Sequence, residues 1–140
     1  MNNDLKKAYK SADYWLVSDK ERIVFKVDAT SLALDAILES AGVGRAIFIT
    51  ASNPGSQVCE DSENRRNNDR LLSDLKLAGF KFMPGFGGAE NNDWPVEESW
   101  LVLGMPIDTA DILARQYAQN AYLVIETNHK VQLRWVPRSQ

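Results

Sequence analysis

The chain has 140 residues, of which 44% are apolar and 25% charged, a composition typical of one soluble domain. A domain of this length buries roughly two-thirds of the surface of its unfolded chain, so it needs neither a disulfide nor a metal to fold. Sixteen basic and nineteen acidic residues give a net charge of −3, which argues against a dedicated nucleic-acid-binding protein.

The polar start of the chain and its single cysteine predict a cytoplasmic protein. The first residues lack the apolar stretch of a secretory signal, and no apolar run reaches the roughly 18 residues of a membrane span. Cys59 can form no intrachain disulfide. Because Glu60 and Asp61 follow it directly, we expect a raised thiol pKa and an incidental loop cysteine rather than a nucleophile.

The first half of the chain predicts a hairpin, a helix and a buried strand. Residues 13–17 and 23–27 are short runs of aromatic and β-branched residues around a charged turn, which is typical of a β-hairpin. Ser31 precedes apolar residues at helical spacing that end at Gly42, so a helix is predicted over 31–41. The apolar run at 45–50 predicts a strand buried on both faces, and a turn follows it.

The second half predicts two further helices and four strands. A helix begins near Ser62 and ends at Gly79, and its first two turns have almost no apolar face, so they project past the core or line a wet site. Strands are predicted at 80–83 and 98–103, joined by a glycine-rich polar loop that is either a flexible lid or an ordinary long turn. Asp108 is expected to cap the third helix, and 121–125 and 131–135 form a closing hairpin.

These elements predict one α/β domain over residues 1–140: a single-layer mixed sheet with flanking helices, in the order β-β-α-β-α-β-β-α-β-β. A strand, helix and strand in one sheet usually form a parallel crossover, so residues 47–50 and 80–83 are expected to run the same way. If the next strand returns antiparallel, Glu97 and Glu98 begin at the edge where both strands end. The third helix and the closing hairpin bring Gln119, Asn120 and Arg134 to that edge, which we call the rim.

Ligands of open α/β sheets bind outside the carboxyl ends of the parallel strands, which makes the rim the candidate binding site. Its asparagine and arginine side chains would orient a small polar, nucleoside-like ligand, and Trp94 would stack on it or close over it. Gly85 and Gly87 are expected at the same edge. The candidate ligand-binding residues are Thr50, Asn53, Ser56, Asn64, Arg65, Asn68, Trp94 and Asn120.

Glu97 and Glu98 are the candidate catalytic residues if the protein is an enzyme, a question that the sequence leaves open. A carboxylate beside apolar side chains can have a raised pKa and exchange protons near neutral pH. Strand alternation puts Glu98 on the face of Trp100 and Glu97 on the opposite face, so at least one of them points toward packed side chains. The alternative is that both are solvated charges at the start of a strand.

The sequence leaves the cofactor unknown and predicts no metal site. Residues 84–88 contain neither a dinucleotide-binding nor a Walker motif. The turn at 53–56 can cradle a polar ligand or be a plain turn, and the acidic residues at the start of the following helix disfavour a phosphate there. His129 lies in a predicted turn far from the rim without a second histidine, and magnesium binding by Asp93, Glu97 and Glu98 has no signature spacing.

Two kinds of macromolecular partner are alternatives to the small ligand. Arg65, Arg66 and Arg70 could contact nucleic acid, but such a charge run is more often a solvated helix face, and nucleic-acid binding is not expected. The alternative function is a protein–protein interaction module that uses the Trp94 loop and a sheet edge. A ligand site needs a concave surface, whereas a docking module needs a flat apolar patch. The oligomeric state is not predicted.

Several short segments resemble the small bacterial family catalogued as domain of unknown function 3293. They are FITASNP at 48–54, SENRRN at 62–67, GF at 79–80 with PG at 84–85, WPVEES at 94–99 and ARQYAQNA at 114–121. The resemblance spans about residues 9–136 and implies a stand-alone cytosolic bacterial domain without a named activity. Ser52 stands where members of that family often have an aromatic residue, a departure that would alter a pocket wall.

Overall fold

The computed structural model describes residues 3–18, 21–88 and 95–137. Within them the chain forms one seven-stranded sheet with helices on both faces. The helices are α1 (Asn3–Ser11), α2 (Leu32–Ala41), α3 (Asp61–Ala78) and α4 (Ile107–Gln116). The strands are β1 (Asp13–Val17), β2 (Arg22–Phe25), β3 (Arg45–Ile49), β4 (Lys81–Gly88), β5 (Glu97–Leu103), β6 (Ala121–Glu126) and β7 (Gln132–Trp135). No helix in this part of the chain is both long and apolar enough to cross a membrane.

The predicted α/β class is confirmed, and so is the predicted order of elements from β1 onward, but the sheet is not mixed. Its strand order is β2-β1-β4-β5-β3-β6-β7, and each described neighbouring pair is antiparallel. β3 and β4 do run the same way, as predicted, because both pair with β5, which lies between them. The crossover rule therefore gave the direction of the two strands correctly, and β5 lies between them in the sheet.

Two apolar cores lie on the two faces of the sheet. On one face, Leu34 and Leu38 of α2 pack against aromatic side chains of β1, β2 and β3. On the other face, Leu71 and Leu75 of α3 and two alanines of α4 pack against β3, β5 and β6. β3 contributes alternate residues to both cores, so the predicted burial of this strand on both faces is confirmed.

The ends of α2 follow the sequence rules, whereas the start of α4 does not. Ser31 Oγ accepts a hydrogen bond from Leu34 N at 3.1 Å, and Gly42 ends α2 in the left-handed conformation with φ 71°. At α4, Pro106 occupies the N-cap position and no side chain caps the helix. The predicted cap at Asp108 is therefore wrong, since the helix begins at Ile107 and already includes Asp108 in its first turn.

Residues 84–88 form the second half of β4, so the predicted flexible lid or long turn is wrong for these residues. They pair with β1 and with β5 at the same time. An added Cβ at Gly85 would lie 2.8 Å from the Phe48 ring, and one at Gly87 would lie 2.8 Å from the Tyr14 ring. The glycines thus make room for aromatic rings within a sheet, a use that their composition alone does not distinguish from a loop.

The sequence analysis missed α1. Its signal was present, because Leu5, Ala8, Tyr9 and Ala12 follow the i, i+3, i+4, i+7 spacing of an amphipathic helix. None of the α1 residues is buried. The helix is held to the body of the protein by the edge-on contact of Tyr9 with Trp135, whose ring centroids are 5.6 Å apart, and by an ion pair between Lys10 and Asp28 at 3.2 Å.

Candidate functional site

The predicted convergence of strand ends at one rim is confirmed. β4 and β5 are antiparallel, so Gly87 near the end of one strand faces Glu97 at the start of the other. β3 ends beside the start of β5, and β6 starts beside the end of β7. The loop at 50–59, the start of α3 and residues 118–120 therefore meet at the same edge of the sheet.

Asn53 lies at the centre of a hydrogen-bond network that we call the Asn53 hub. Its backbone N–H donates to Asn64 Oδ1 at 2.8 Å, and its Oδ1 accepts from Asn64 Nδ2 at 2.8 Å and from Cys59 N at 3.0 Å. Its Nδ2 donates to Glu97 Oε2 at 2.9 Å. Asn53 is 3% exposed and has φ 48°, a left-handed conformation that asparagine tolerates better than most residues. This side chain therefore fixes the position of the Glu97 carboxylate.

The polar residues at the start of α3 form hydrogen bonds with the loop that follows β3. Asn68, which is 1% exposed, accepts from Ala51 N at 3.0 Å and donates to Ser52 Oγ at 2.8 Å. Asn64 lies one turn earlier on the same face, above Leu71 in the core. The helix start thus neither projects past the core nor lines a wet site at these positions, because its amides satisfy buried backbone groups.

Thr50 has a similar structural task at the end of β3. Its hydroxyl donates to Glu98 O and accepts from Ser52 N at 3.0 Å. Ser52 itself is buried and its carbonyl accepts from Gln119 Nε2 at 2.9 Å. Thr50, Asn64 and Asn68 therefore hold the rim loop in place through bonds to the protein.

The backbone at the rim is strained. Asn53, Ser56 and Ala118 have φ values of 48°, 60° and 52°, which non-glycine residues seldom adopt. Two hydrogen bonds hold this geometry: Gly55 N donates to Ala118 O at 2.7 Å, and Asn120 Nδ2 donates to Ser56 Oγ at 2.7 Å. Such strain costs of order 1 kcal/mol or more per residue and tends to cluster at functional sites.

A cavity of about 310 Å³ opens between the rim and α1. Helix α1 forms one wall, and β1, β4, β5 and the rim loops form the others. The lining residues from α1 are Asp4, Leu5, Lys7, Ala8, Tyr9 and Ser11, and those that face them include Tyr14, Asn53, Ser56, Gly87, Glu97 and Gln119. Of the predicted site residues, Asn53, Ser56 and Glu97 line this cavity directly.

Two tyrosines form aromatic walls of the cavity. The buried Tyr14 donates its hydroxyl hydrogen bond to Tyr9 O at 3.0 Å, and its ring is held by Phe25 and Phe48. Partial burial, together with the negative charge of Glu97, raises the pKa of Tyr9 to about 12 despite a hydrogen bond with Ser56 that lowers it. The pKa of Tyr14 is also raised, chiefly by burial. Both phenols therefore stay protonated at neutral pH, although the single hydroxyl hydrogen of Tyr14 is already donated to Tyr9 O.

The two candidate catalytic glutamates are not brought together. Glu97 lines the cavity, whereas Glu98 is exposed and shares the opposite face of β5 with Trp100. The predicted alternation of faces is correct, and it separates the two carboxylates. A mechanism that needs both on one reacting atom does not fit this arrangement.

Arg65 and Arg134, two other predicted rim residues, do not line the cavity. Arg65 is exposed on α3 and is absent from the cavity wall. β7 does return Arg134 to the rim end of the sheet, but its guanidinium binds the buried carboxylate of Asp111 with hydrogen bonds of 2.9 and 2.7 Å and does not line the cavity. Trp94, together with Asp93, lies outside the described residues.

The described residues contain no group of three or more His, Cys, Asp or Glu side chains that could hold a metal ion. His129 is exposed in the turn between β6 and β7, at the end of the sheet opposite the rim. Partial burial and the nearby carboxylate of Glu63 raise the pKa of the Cys59 thiol, which disfavours its thiolate form. Cys59 takes part in the site through its backbone N–H.

The family model of a protein of unknown function (DUF3293) matches residues 49–122, which is more than half of the chain. The matched segment contains Asn53, Asn64, Asn68, Glu97 and Asn120 but neither α1 nor Tyr14. No curated protein and no solved structure is significantly similar to the chain. Together with the motifs in the sequence, the match establishes that the chain belongs to the DUF3293 family of proteins of unknown function.

Proposed function

We propose that the protein binds a small polar, nucleoside-like ligand in the cavity between α1 and the rim. The observation that carries this proposal is the Glu97 carboxylate, which Asn53 holds at 2.9 Å within a cavity that two tyrosines line. Ligand sites combine mostly apolar and aromatic walls with a few well-placed polar groups. Tyr9 and Tyr14 supply the aromatic walls, and Glu97 supplies the polar group.

The volume of the cavity supports a ligand of the size of a nucleoside. Ligand cavities span roughly 300–1,000 Å³, and the volume of about 310 Å³ lies at the lower end. A base with its ribose is a suitable occupant, whereas a dinucleotide would extend far beyond the walls. The concave shape also favours a ligand site over the protein-docking alternative, which calls for a flat apolar patch.

The polar groups of the cavity wall favour ligand binding. If the protein is an enzyme, Glu97 is the residue that would transfer a proton. The carboxylate is oriented by an asparagine that is itself held by Asn64, so the acceptor is preorganised before a ligand arrives. Tyr9 offers a hydroxyl group that stays protonated, whereas the hydroxyl hydrogen of Tyr14 is donated to Tyr9 O, so Tyr14 contributes its ring. We place this activity in the bacterial cytoplasm, a proposal that rests on the single cysteine and on the resemblance to a bacterial family.

The experiment is a thermal-shift screen with adenosine, guanosine, cytidine and uridine, because a ligand that binds the native state raises the melting temperature. The screen includes Ala8→Trp, which places an indole into the cavity from the exposed wall helix. Ala33→Trp is the matched control, since Ala33 is also an exposed helical alanine but lies on α2, away from the cavity.

The proposal expects a nucleoside to stabilise the wild-type protein and Ala33→Trp, with the shift lost in Ala8→Trp. At a ligand concentration of 100 times Kd, the stabilisation is about 2.7 kcal/mol. A shift that survives in Ala8→Trp would put the ligand elsewhere on the protein. The absence of a shift with all four nucleosides would contradict the nucleoside-like class.

A further inference from the structure

We infer that the ligand of this cavity is a purine nucleoside whose base presents two adjacent N–H donors to Glu97, the pattern of the guanine edge. This inference rests on the proposed ligand site and names the part of the ligand that the site reads. It is built on the position of one carboxylate, the charges around it and the hydrogen-bonding patterns of the bases.

Charged side chains line the cavity wall. Glu97 lies within the cavity, and Asp4 and Lys7 line it from the exposed face of α1. The negative charge of Glu97 acts on the hydroxyl groups of both Tyr9 and Tyr14. A carboxylate in such a setting repels phosphates and carboxylates and attracts groups that carry N–H donors.

The orientation of the Glu97 carboxylate determines which donors it can accept. An ionised carboxylate only accepts hydrogen bonds, and its two oxygens can accept several at once. Asn53 fixes the orientation of the group through Oε2, and Asn53 is in turn fixed by Asn64 and by the backbone N–H of Cys59. A carboxylate fixed in this way suits a planar partner that offers two parallel N–H donors, as in other bidentate pairs.

The common bases differ in the hydrogen-bond donors and acceptors that they present. On guanine, N1–H and the exocyclic N2–H lie side by side and can both point at one carboxylate. Adenine and cytosine place an acceptor nitrogen beside their amino group, and uracil places its N3–H between two carbonyl oxygens. An acceptor that faces Glu97 is repelled, so guanine is the base that the carboxylate fits best. The tyrosine rings provide an aromatic surface for any flat base.

The test measures the dissociation constants of guanosine and inosine by calorimetry on the full chain. Inosine retains N1–H and lacks the exocyclic amino group, so the pair isolates the second hydrogen bond. For the wild-type protein we expect guanosine to bind about 10-fold or more tightly than inosine, because a hydrogen bond to a charged group is lost with inosine.

Two single substitutions complete the test. Glu97→Gln should weaken guanosine binding about 10-fold or more and remove most of its preference over inosine, because an amide presents one acceptor and one donor. Glu98→Gln is the matched control: the same change one residue later, on the exposed opposite face, should leave both constants within about 2-fold of wild type. Equal melting temperatures of the two variants without ligand show that Glu97→Gln still folds.

The outcomes separate this inference from the proposed function. Adenosine or uridine could bind in the cavity as tightly as guanosine, with no effect of Glu97→Gln. That result would overturn the inference and leave the proposed ligand site unaffected. Binding of benzamidine, a cation with the same pair of donors, without binding of guanosine would overturn the nucleoside part. If no nucleoside binds at all, the proposed function fails with it.

Discussion

The side-chain amide of Asn53 donates a hydrogen bond of 2.9 Å to the carboxylate of Glu97, a residue 44 positions later in the chain. Asn53 lies in the loop after β3, and Glu97 is the first residue of β5, the strand that pairs with β3. The bond therefore couples the rim loop to the sheet at the cavity. A change in the charge of either side chain therefore acts directly on the other.

Replacing Asn53 with aspartate should create a pH-dependent loss of stability. The new carboxylate faces that of Glu97, so one carboxyl in the folded variant acquires a pKa above its unfolded value. The destabilisation is then present above the raised folded pKa and disappears as the pH falls through it. Urea denaturation should find the variant about 2 kcal/mol less stable than wild type at pH 8, with a smaller difference at pH 5.

The control for this experiment is Asn3→Asp, which makes the same change at an exposed position in the first turn of α1. A solvated charge there should change stability by less than about 0.5 kcal/mol. If the deficit of Asn53→Asp is the same at pH 5 and pH 8, repulsion between the two carboxylates is not its cause.

The ion pair of the buried Asp111 with the partly exposed Arg134 should contribute stability that is lost in acid. Hydrogen bonds from Arg134 and Tyr122 hold the pKa of Asp111 below its ordinary value, although burial opposes them. A depressed folded pKa means that the contribution is present above the unfolded value of about 3.9 and is lost as the pH falls through the folded pKa. Asp111→Asn should cost about 2 kcal/mol at pH 7 and much less near pH 2 in urea denaturation.

Asp108→Asn is the comparison for Asp111→Asn on the same helix. Asp108 is exposed in the first turn of α4 and makes no cap bond, so only its interaction with the helix dipole is lost, at about 0.5 kcal/mol or less. An equal loss in the two variants would mean that the buried network does not stabilise the protein.

Gly85→Ala should destabilise the fold by overpacking. The added Cβ would lie 2.7 Å from Trp15 O and 2.8 Å from the Phe48 ring, and a backbone atom within a paired strand cannot move away cheaply. We expect a loss of about 2 kcal/mol, visible as a lower melting temperature. Gly44→Ala is the matched control, because nothing lies within 4 Å of its added Cβ, and a similar loss there would refute the packing explanation.

Helix α1 should open more readily than the rest of the protein. None of its residues is buried, whereas α2, of similar length, buries Leu34 and Leu38. Amide hydrogen exchange measured by mass spectrometry should therefore be at least about 100-fold faster in α1 than in α2. Because α1 forms one wall of the cavity, bound guanosine should slow exchange in α1 and leave α2 unchanged. Equal exchange rates in the two free helices would show that α1 is part of the stable core.

The sequence predicted most of the local structure correctly because the signals involved are local. Ser31 and Gly42 bound α2 through contacts with residues three or four positions away, and Gly79 ends α3 in the same manner as Gly42. The same rules failed where a distant partner decided the outcome. Asp108 has the right chemistry for a helix cap but makes no cap bond, and Gly87 has the right composition for a loop but pairs with Tyr14 in the sheet.

The candidate site was predicted in part for the same reason. Strand direction follows from the order of strands and helices, and it brought Asn53, Ser56 and Glu97 to one edge before any contact was known. The cavity itself was not predicted, because α1 and Tyr14 enter it from the start of the chain. The pairing of β1 with β4 puts Tyr14 beside Gly87, and only long-range hydrogen bonds specify that pairing.

By itself, the sequence determined the α/β class, the order of the elements after α1, both ends of α2, the C-terminal end of α3 and the set of polar residues at the rim, because propensity, periodicity and capping act over a few residues. The tertiary structure decided what those residues do. It committed Asn64 and Asn68 to buried backbone groups, put Glu97 and Glu98 on opposite faces of β5 and set α1 over the rim. These outcomes depend on hydrogen bonds and packing between segments that are tens of residues apart, and such contacts form only when the whole sheet is assembled.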